Sequence, residues 1–209
     1  MKKHDYIFGV IVTLIIAIGV LSMSKMSNAS DSKDQKATAI FAAGCFWCVE
    51  ADFENLDGVI EVVSGYTGGK TANPTYESVV SGNTGHREAV KVTYDPKQIS
   101  YARLLEAYWR TIDPLDGEGQ LFDKGPQYTT AIYYQDEDQK QQAEQSRTEK
   151  QAFFDAPIMT EIVEVAPFYP AEEYHQGFYH KNPARYNSYR ISCNRDPYLR
   201  NIWDKKRSG

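Results

Sequence analysis

The chain is poor in cysteine, in basic charge and in repetition, and each shortage removes a class of protein. Its three cysteines, Cys45, Cys48 and Cys193, are too few and odd in number for a disulfide scaffold. Lys and Arg together number 23 against 28 Asp and Glu, and no basic stripe runs along the chain, which argues against nucleic acid as a partner. The first 29 residues carry Lys2, Lys3 and Lys25 against Asp5 alone, so the remainder is more acidic still. There is no internal repeat and no low-complexity tract beyond one short polar stretch, which leaves a single domain of ordinary length. Long apolar runs are also missing, with one exception.

That exception opens the chain. Lys2, Lys3 and His4 precede a stretch from Tyr6 to Met23 without a charge, followed by Ser27-Asn28-Ala29. A basic start, an apolar run and small residues predict a secretory signal, cut after Ala29. The run is also just long enough to span a bilayer, so an uncleaved anchor helix is the alternative. Either places the domain outside the cytoplasmic membrane, touching it only through this segment. The polar residues that follow predict a linker over 30–37, with the catalytic domain at 38–209.

Within the domain, Ala37 to Ala43 reads as an apolar strand. Apolar residues at Phe46, Val49, Phe53 and Leu56 have helical spacing, and Asp57-Gly58 ends that helix. Val59 to Val63 reads as a strand, and Ser64 to Thr75 as a loop. Glu88 to Tyr94 alternates, with Val90, Val92 and Tyr94 on one face. Ser100 predicts an N-cap for a helix through Trp109. Ala131 to Tyr134 and Glu161 to Val165 read as strands around a polar surface helix from Asp136 to Phe154. Beyond Pro167 the chain is aromatic and irregular, and no element is predicted. Strands and helices mix without strict alternation, which predicts an α+β fold with a mostly antiparallel sheet.

The sharpest local feature is Gly44-Cys45-Phe46-Trp47-Cys48-Val49-Glu50, after a strand and opening a helix. A thiol at a helix N-terminus meets unpaired N–H groups and the positive end of the dipole, and both favour thiolate. This matters because an unperturbed thiol of pKa near 8.5 is only about 3% ionised at pH 7. Phe46 and Trp47 are adjacent and cannot both face one core, so one lies near the surface. An apolar wall beside a thiolate suits a substrate ending in a thioether or methyl. Glu88 follows the glycine-rich segment 65–85; it is either a solvated charge or, if buried beside Tyr76, a proton donor at neutral pH. Asp113 to Tyr128 reads as turn residues around Asp123.

Two other chemistries fit parts of this pattern. C-x-x-C after a strand permits a thioredoxin-like disulfide exchanger. It leaves the glycine-rich segment unexplained, and Phe-Trp is bulky between exchange cysteines. Cys45, Cys48, His175 and His180 form C-x2-C and H-x4-H, as zinc ligands do, but the gap between the pairs far exceeds that of a zinc finger.

Taken together, GCFWCVE at 44–50, GYTGG at 65–69, NPTYESVVSGNTGHREAV at 73–90 and DKGPQYTTAIYY at 123–134 resemble the A-type peptide methionine sulfoxide reductases. The likeness extends through EEYHQGFYHKNP at 172–183 and Tyr189-Arg190-x-x-Cys193-x-Arg195-Asp196, covering about residues 38 to 200. The resemblance implies a two-layer α+β sandwich with a βαβ-type core and reduction of the S epimer of methionine sulfoxide, free or in proteins. By the same resemblance Cys45 attacks sulfur, Phe46 and Trp47 hold the methyl group, and Glu88 protonates the oxygen with Tyr76 and Tyr128 bonding it. Asp123 orients the substrate. Cys193 is the expected resolving thiol, with Cys48 the alternative. A Cys45–Cys48 bridge would strain the helix start, family members commonly place a resolving cysteine in the tail, and the segment after Pro183 reads as mobile. A thioredoxin-like reductant, no cofactor, no metal and a monomeric state complete the expectation.

Overall fold

The computed structural model describes residues 36–204. The signal or anchor helix expected over 1–29, and nearly all of the linker, lie outside the described residues. Among the described residues no helix is long and apolar enough to cross a membrane.

The chain runs through β1 (Ala37–Ala42), α1 (Phe46–Glu54), β2 (Val59–Thr67), α2 (Tyr76–Val80), β3 (Arg87–Tyr94) and α3 (Tyr101–Arg110). A short hairpin of β4 (Gly119–Gln120) and β5 (Asp123–Lys124) and a 3-10 turn at Pro126–Tyr128 follow. Then come β6 (Ala131–Tyr134), α4 (Glu137–Gln151), β7 (Glu161–Glu164) and β8 (Tyr169–Pro170). Three helices close the order: α5 (Phe178–Lys181), α6 (Pro183–Ser192) and α7 (Arg195–Asp204).

Six strands form one mixed sheet in the order β7-β6-β1-β3-β2-β8. Its pairings are antiparallel except β6 with β7, which are parallel and joined through α4 as a βαβ unit. The fold is α+β, as the mixed pattern of elements predicts. Alternation in β3 sorts its side chains by face. Val90, Val92 and Tyr94 join the main core with Phe41, Phe53, Leu104, Tyr108 and Trp109. Ala89 lies in a second cluster with Ile40, Ala42, Ala131 and Tyr133, so both faces of β1 and β3 are covered. Phe41 ties the central strand to two helices, its ring 5.2 Å from that of Phe53 and 5.0 Å from that of Tyr108.

Helix starts follow local chemistry. Ser100 Oγ accepts the Arg103 N–H at 3.2 Å, and Asp136 Oδ1 accepts that of Gln139 at 2.8 Å, each filling one orphan donor of a first turn. Polar α4 is fastened by the buried Trp109, whose indole N–H donates to Ser146 Oγ at 3.0 Å.

Three expectations are corrected. Strand β2 continues past Val63 to Thr67, because Gly65, Tyr66 and Thr67 pair with Ala89, Glu88 and Arg87. Gly65 serves this edge by its small size: a Cβ there would lie 2.4 Å from the Tyr169 carbonyl oxygen of β8. Helix α2 interrupts the loop-rich segment, capped by Thr75 and Ser78 in a reciprocal capping box. The tail, where no element was expected, is helical and docked. Arg195 Nη2 donates to Thr111 O at 2.6 Å, and the Trp203 indole donates to Ile112 O at 3.1 Å.

Candidate active site

A cavity of about 60 Å³ opens where α1 begins, lined by Cys45, Phe46, Trp47, Tyr76, Glu88, Asp123, Tyr128 and Tyr189. Seven of these residues were picked out from the sequence; Tyr189 was noted there only as part of a tail motif. Cys45 is the N-cap of α1, and Gly44 before it has φ +80, a left-handed conformation that a side chain would strain. A Cβ on Gly44 would also lie 2.6 Å from Gln120 Cβ, so only glycine lets the chain turn there.

Glu88 sits on β3 beneath this turn and is 2% exposed. Burial pushes its carboxyl up to about 8, with Asp123 and Cys48 adding to the rise. The Phe46 N–H, donating to Oε2 at 3.0 Å, pulls the other way but does not prevail. The carboxyl is therefore mostly neutral at pH 7 and holds a proton to give. Of its two sequence readings, the solvated charge is excluded. Tyr76 is pushed up to about 12 by burial and by Glu88, and Tyr128 is raised further for the same reasons. Both hydroxyls stay protonated donors.

The two adjacent aromatics separate as their spacing requires. Phe46 is buried, its ring 5.9 Å from Tyr66 and 5.0 Å from His175. Trp47 is half-buried and stacks on Phe178 at 3.8 Å and 6°. Its indole N–H donates to His175 Nδ1 at 2.9 Å. Burial holds the His175 pKa down, which keeps the imidazole neutral with a lone pair to accept that bond. His175 is thus committed to Trp47, and among the described residues no group of three or more His, Cys, Asp or Glu could hold a metal ion.

The thiols depart from the helix-terminus expectation. All three cysteines are free and buried. Burial raises Cys45, as do its hydrogen bond to Cys48 and the nearby carboxylates. Cys48 is lowered by that same bond and by the Arg195 and Arg190 guanidiniums. The dipole at the first turn of α1 is outweighed by dehydration, so the Cys45 thiol lies above its ordinary value. Cys193, at the end of α6, donates its S–H to Arg190 O at 3.3 Å.

Three supporting residues lie within the quoted motifs, but nothing local in the sequence gave them a role. Glu172 accepts from the Tyr66 hydroxyl and the Tyr76 N–H, each at 2.8 Å, and so fixes the start of α2. Glu50 accepts the Gly177 N–H at 2.9 Å, tying α1 to the approach to α5. Arg195 is 2% exposed and donates to Ala43 O, two residues before Cys45, at 3.5 Å. Their partners are 96 to 152 residues away in sequence.

A thiol and a neutral carboxylic acid in one small aromatic cavity, with a second thiol one helical turn behind, define a thiol oxidoreductase that carries its own proton donor. Residues 37–207 match the family model described as "Peptide methionine sulfoxide reductase". The chain is 49% identical to peptide methionine sulfoxide reductase MsrA of Bacillus licheniformis, over 83% of this chain and 97% of that one. Reduced Mxr1 from Saccharomyces cerevisiae superposes with a TM-score of 0.68 at 30% identity, covering 71% of this chain and 87% of that one. A structure of Mxr1 in complex with Trx2 shares the fold, with a TM-score of 0.51 at 21% identity over 69% of this chain and 88% of that one. The chain belongs to the peptide methionine sulfoxide reductase family.

Proposed function

We propose that this chain reduces the S epimer of methionine sulfoxide, free or within oxidised proteins, outside the cytoplasmic membrane. One observation carries the reading: Cys45 shares its cavity with Glu88, a carboxylic acid kept protonated to about pH 8. Sulfoxide oxygen leaves only once protonated, so a neutral acid beside the nucleophile is what the reaction demands. The substrate methyl group rests against Phe46 and Trp47. The oxygen points to Glu88, Tyr76 and Tyr128, and Asp123 orients the remainder. Cys45 sulfur attacks the sulfoxide sulfur, the oxygen passes to Cys45 as a sulfenic acid, and methionine leaves with the sulfur electron pair restored.

A second thiol then attacks the Cys45 sulfur, forming a disulfide and releasing the oxygen as water. We assign that step to Cys48, which lies one helical turn from Cys45 and is held below the ordinary thiol value by Cys45 and by the Arg195 and Arg190 guanidiniums. Cys193, favoured from the sequence by the strain of a Cys45–Cys48 bridge and by the family's tail cysteines, is the alternative. Two electrons from a thioredoxin-like dithiol reopen the disulfide.

The test is turnover of the separated S and R epimers by the full chain with dithiothreitol, alongside Cys45→Ser. Consumption of the S epimer alone, abolished in Cys45→Ser, is the expected result. No turnover by folded, reduced protein sinks the reading and favours disulfide exchange. Mass mapping of Cys48→Ser and Cys193→Ser after one turnover assigns the resolving thiol: a trapped sulfenic acid is expected only in Cys48→Ser.

A further inference from the structure

Tyr189 is the one lining residue of the cavity that comes from the C-terminal helices. Its hydroxyl donates to Asp123 Oδ2 in the cavity that the Cys45 thiol also lines. Its ring meets the Trp47 indole edge-on, with centroids 6.0 Å apart at 85°. The next residue, Arg190, is bound to Asp52 of α1 at 2.8 Å, so the helix cannot slide along the site without breaking an ion pair. One side chain thus touches both the carboxylate and the aromatic wall beside the nucleophile.

We propose that Tyr189 is a positioning residue through which helix α6 completes the substrate cavity, aiming the Asp123 carboxylate with its hydroxyl and bracing Trp47 with its ring. The proposal rests on the sulfoxide reductase reading and deepens it. Asp123 has several acceptor lone pairs and sits on a short hairpin, so without a fixed donor its carboxylate would turn to water. Trp47 is stacked by Phe178 on one face, and Tyr189 meets it edge-on. With both contacts, the apolar and polar ends of the site keep a constant separation. That matters in a cavity large enough only for the end of one side chain.

The hydroxyl also sets which form of Asp123 is present. Burial raises this carboxyl, while the Tyr189 bond and Arg195 of α7 lower it. The other groups facing it are Glu88 on β3, Cys45 at the start of α1, Tyr76, Tyr128 and Cys193. Removing the Tyr189 donor leaves burial less opposed, so Asp123 gains its proton at higher pH.

Tyr189→Phe keeps the ring and removes the hydroxyl; with the full chain and S-sulfoxide, KM should rise roughly tenfold, the loss of one charge-assisted hydrogen bond. The acid limb of kcat/KM should move to higher pH. In a double-mutant cycle, Tyr189→Phe should add little to Asp123→Asn, because both remove the same bond. A Tyr189→Phe enzyme with the KM and acid limb of the parent, or full additivity with Asp123→Asn, overturns the proposal. Absence of turnover in the parent enzyme would instead overturn the reductase reading. A merely structural tyrosine would lower the melting temperature and leave the acid limb in place, so both are measured.

Discussion

At the scale of single residues, the chemistry depends on an acid kept from ionising. Glu88 is buried between a strand and the first turn of a helix with one N–H partner, too little to compensate for lost water. Its carboxyl titrates near 8 in the folded chain against an ordinary value of 4.5. The kcat/KM profile should therefore fall above about pH 8 as the donor is lost. Glu88→Gln should reduce kcat by about a hundredfold or more, the usual worth of a placed acid. The same substitution should make the protein more stable. Between the two pKa values the folded chain holds a proton that the unfolded chain has released, so folded stability declines as pH rises through that window. The gain from Glu88→Gln should thus be small at pH 5, on the order of 3 kcal/mol at pH 7, and larger at pH 8. Urea melts at these pH values measure it; a gain independent of pH would show that Glu88 ionises normally.

Elements were legible where local signals act alone. The strand before Gly44, the alternation of β3, the cap at Ser100 and the polar helix from Asp136 all rest on residues within a few positions of one another. Extension of β2 through Gly65 was not legible, since a glycine-rich segment becomes a strand there only because β3 offers it partners. The docked tail was hidden for a similar reason: its anchors are backbone carbonyls of Ala43, Thr111 and Ile112, which no side-chain pattern announces. Helix α4 is the plainest case of local control. Asp136→Ala should lower unfolding free energy by about 1 kcal/mol, the usual worth of an N-cap. Turnover should be unchanged, because α4 contributes nothing to the cavity. Denaturant midpoints beside S-sulfoxide assays check both halves, and a loss of kcat would tie α4 to the site.

At the scale of the whole molecule, the proposed location makes its own demand. If the charge-free run from Tyr6 to Met23 directs export, the chain should be recovered from the extracytoplasmic fraction, either starting at Ser30 or carrying its intact N-terminus in the membrane. Fractionation and N-terminal mass analysis distinguish the two, and recovery of full-length protein from the soluble cytoplasm would defeat the proposal. The sequence by itself marked Cys45, Phe46 and Trp47 as candidates, because the strand-to-helix turn that presents them forms from neighbouring residues, and it marked Glu88 as the acid only through the family resemblance. The tertiary structure alone decided that Glu88 is buried and held toward its neutral form, that burial raises the Cys45 thiol, and that Tyr189 closes the cavity. Those outcomes depend on dehydration and on charges brought together from distant parts of the chain, and neither exists until the sheet and the C-terminal helices have packed around the start of α1.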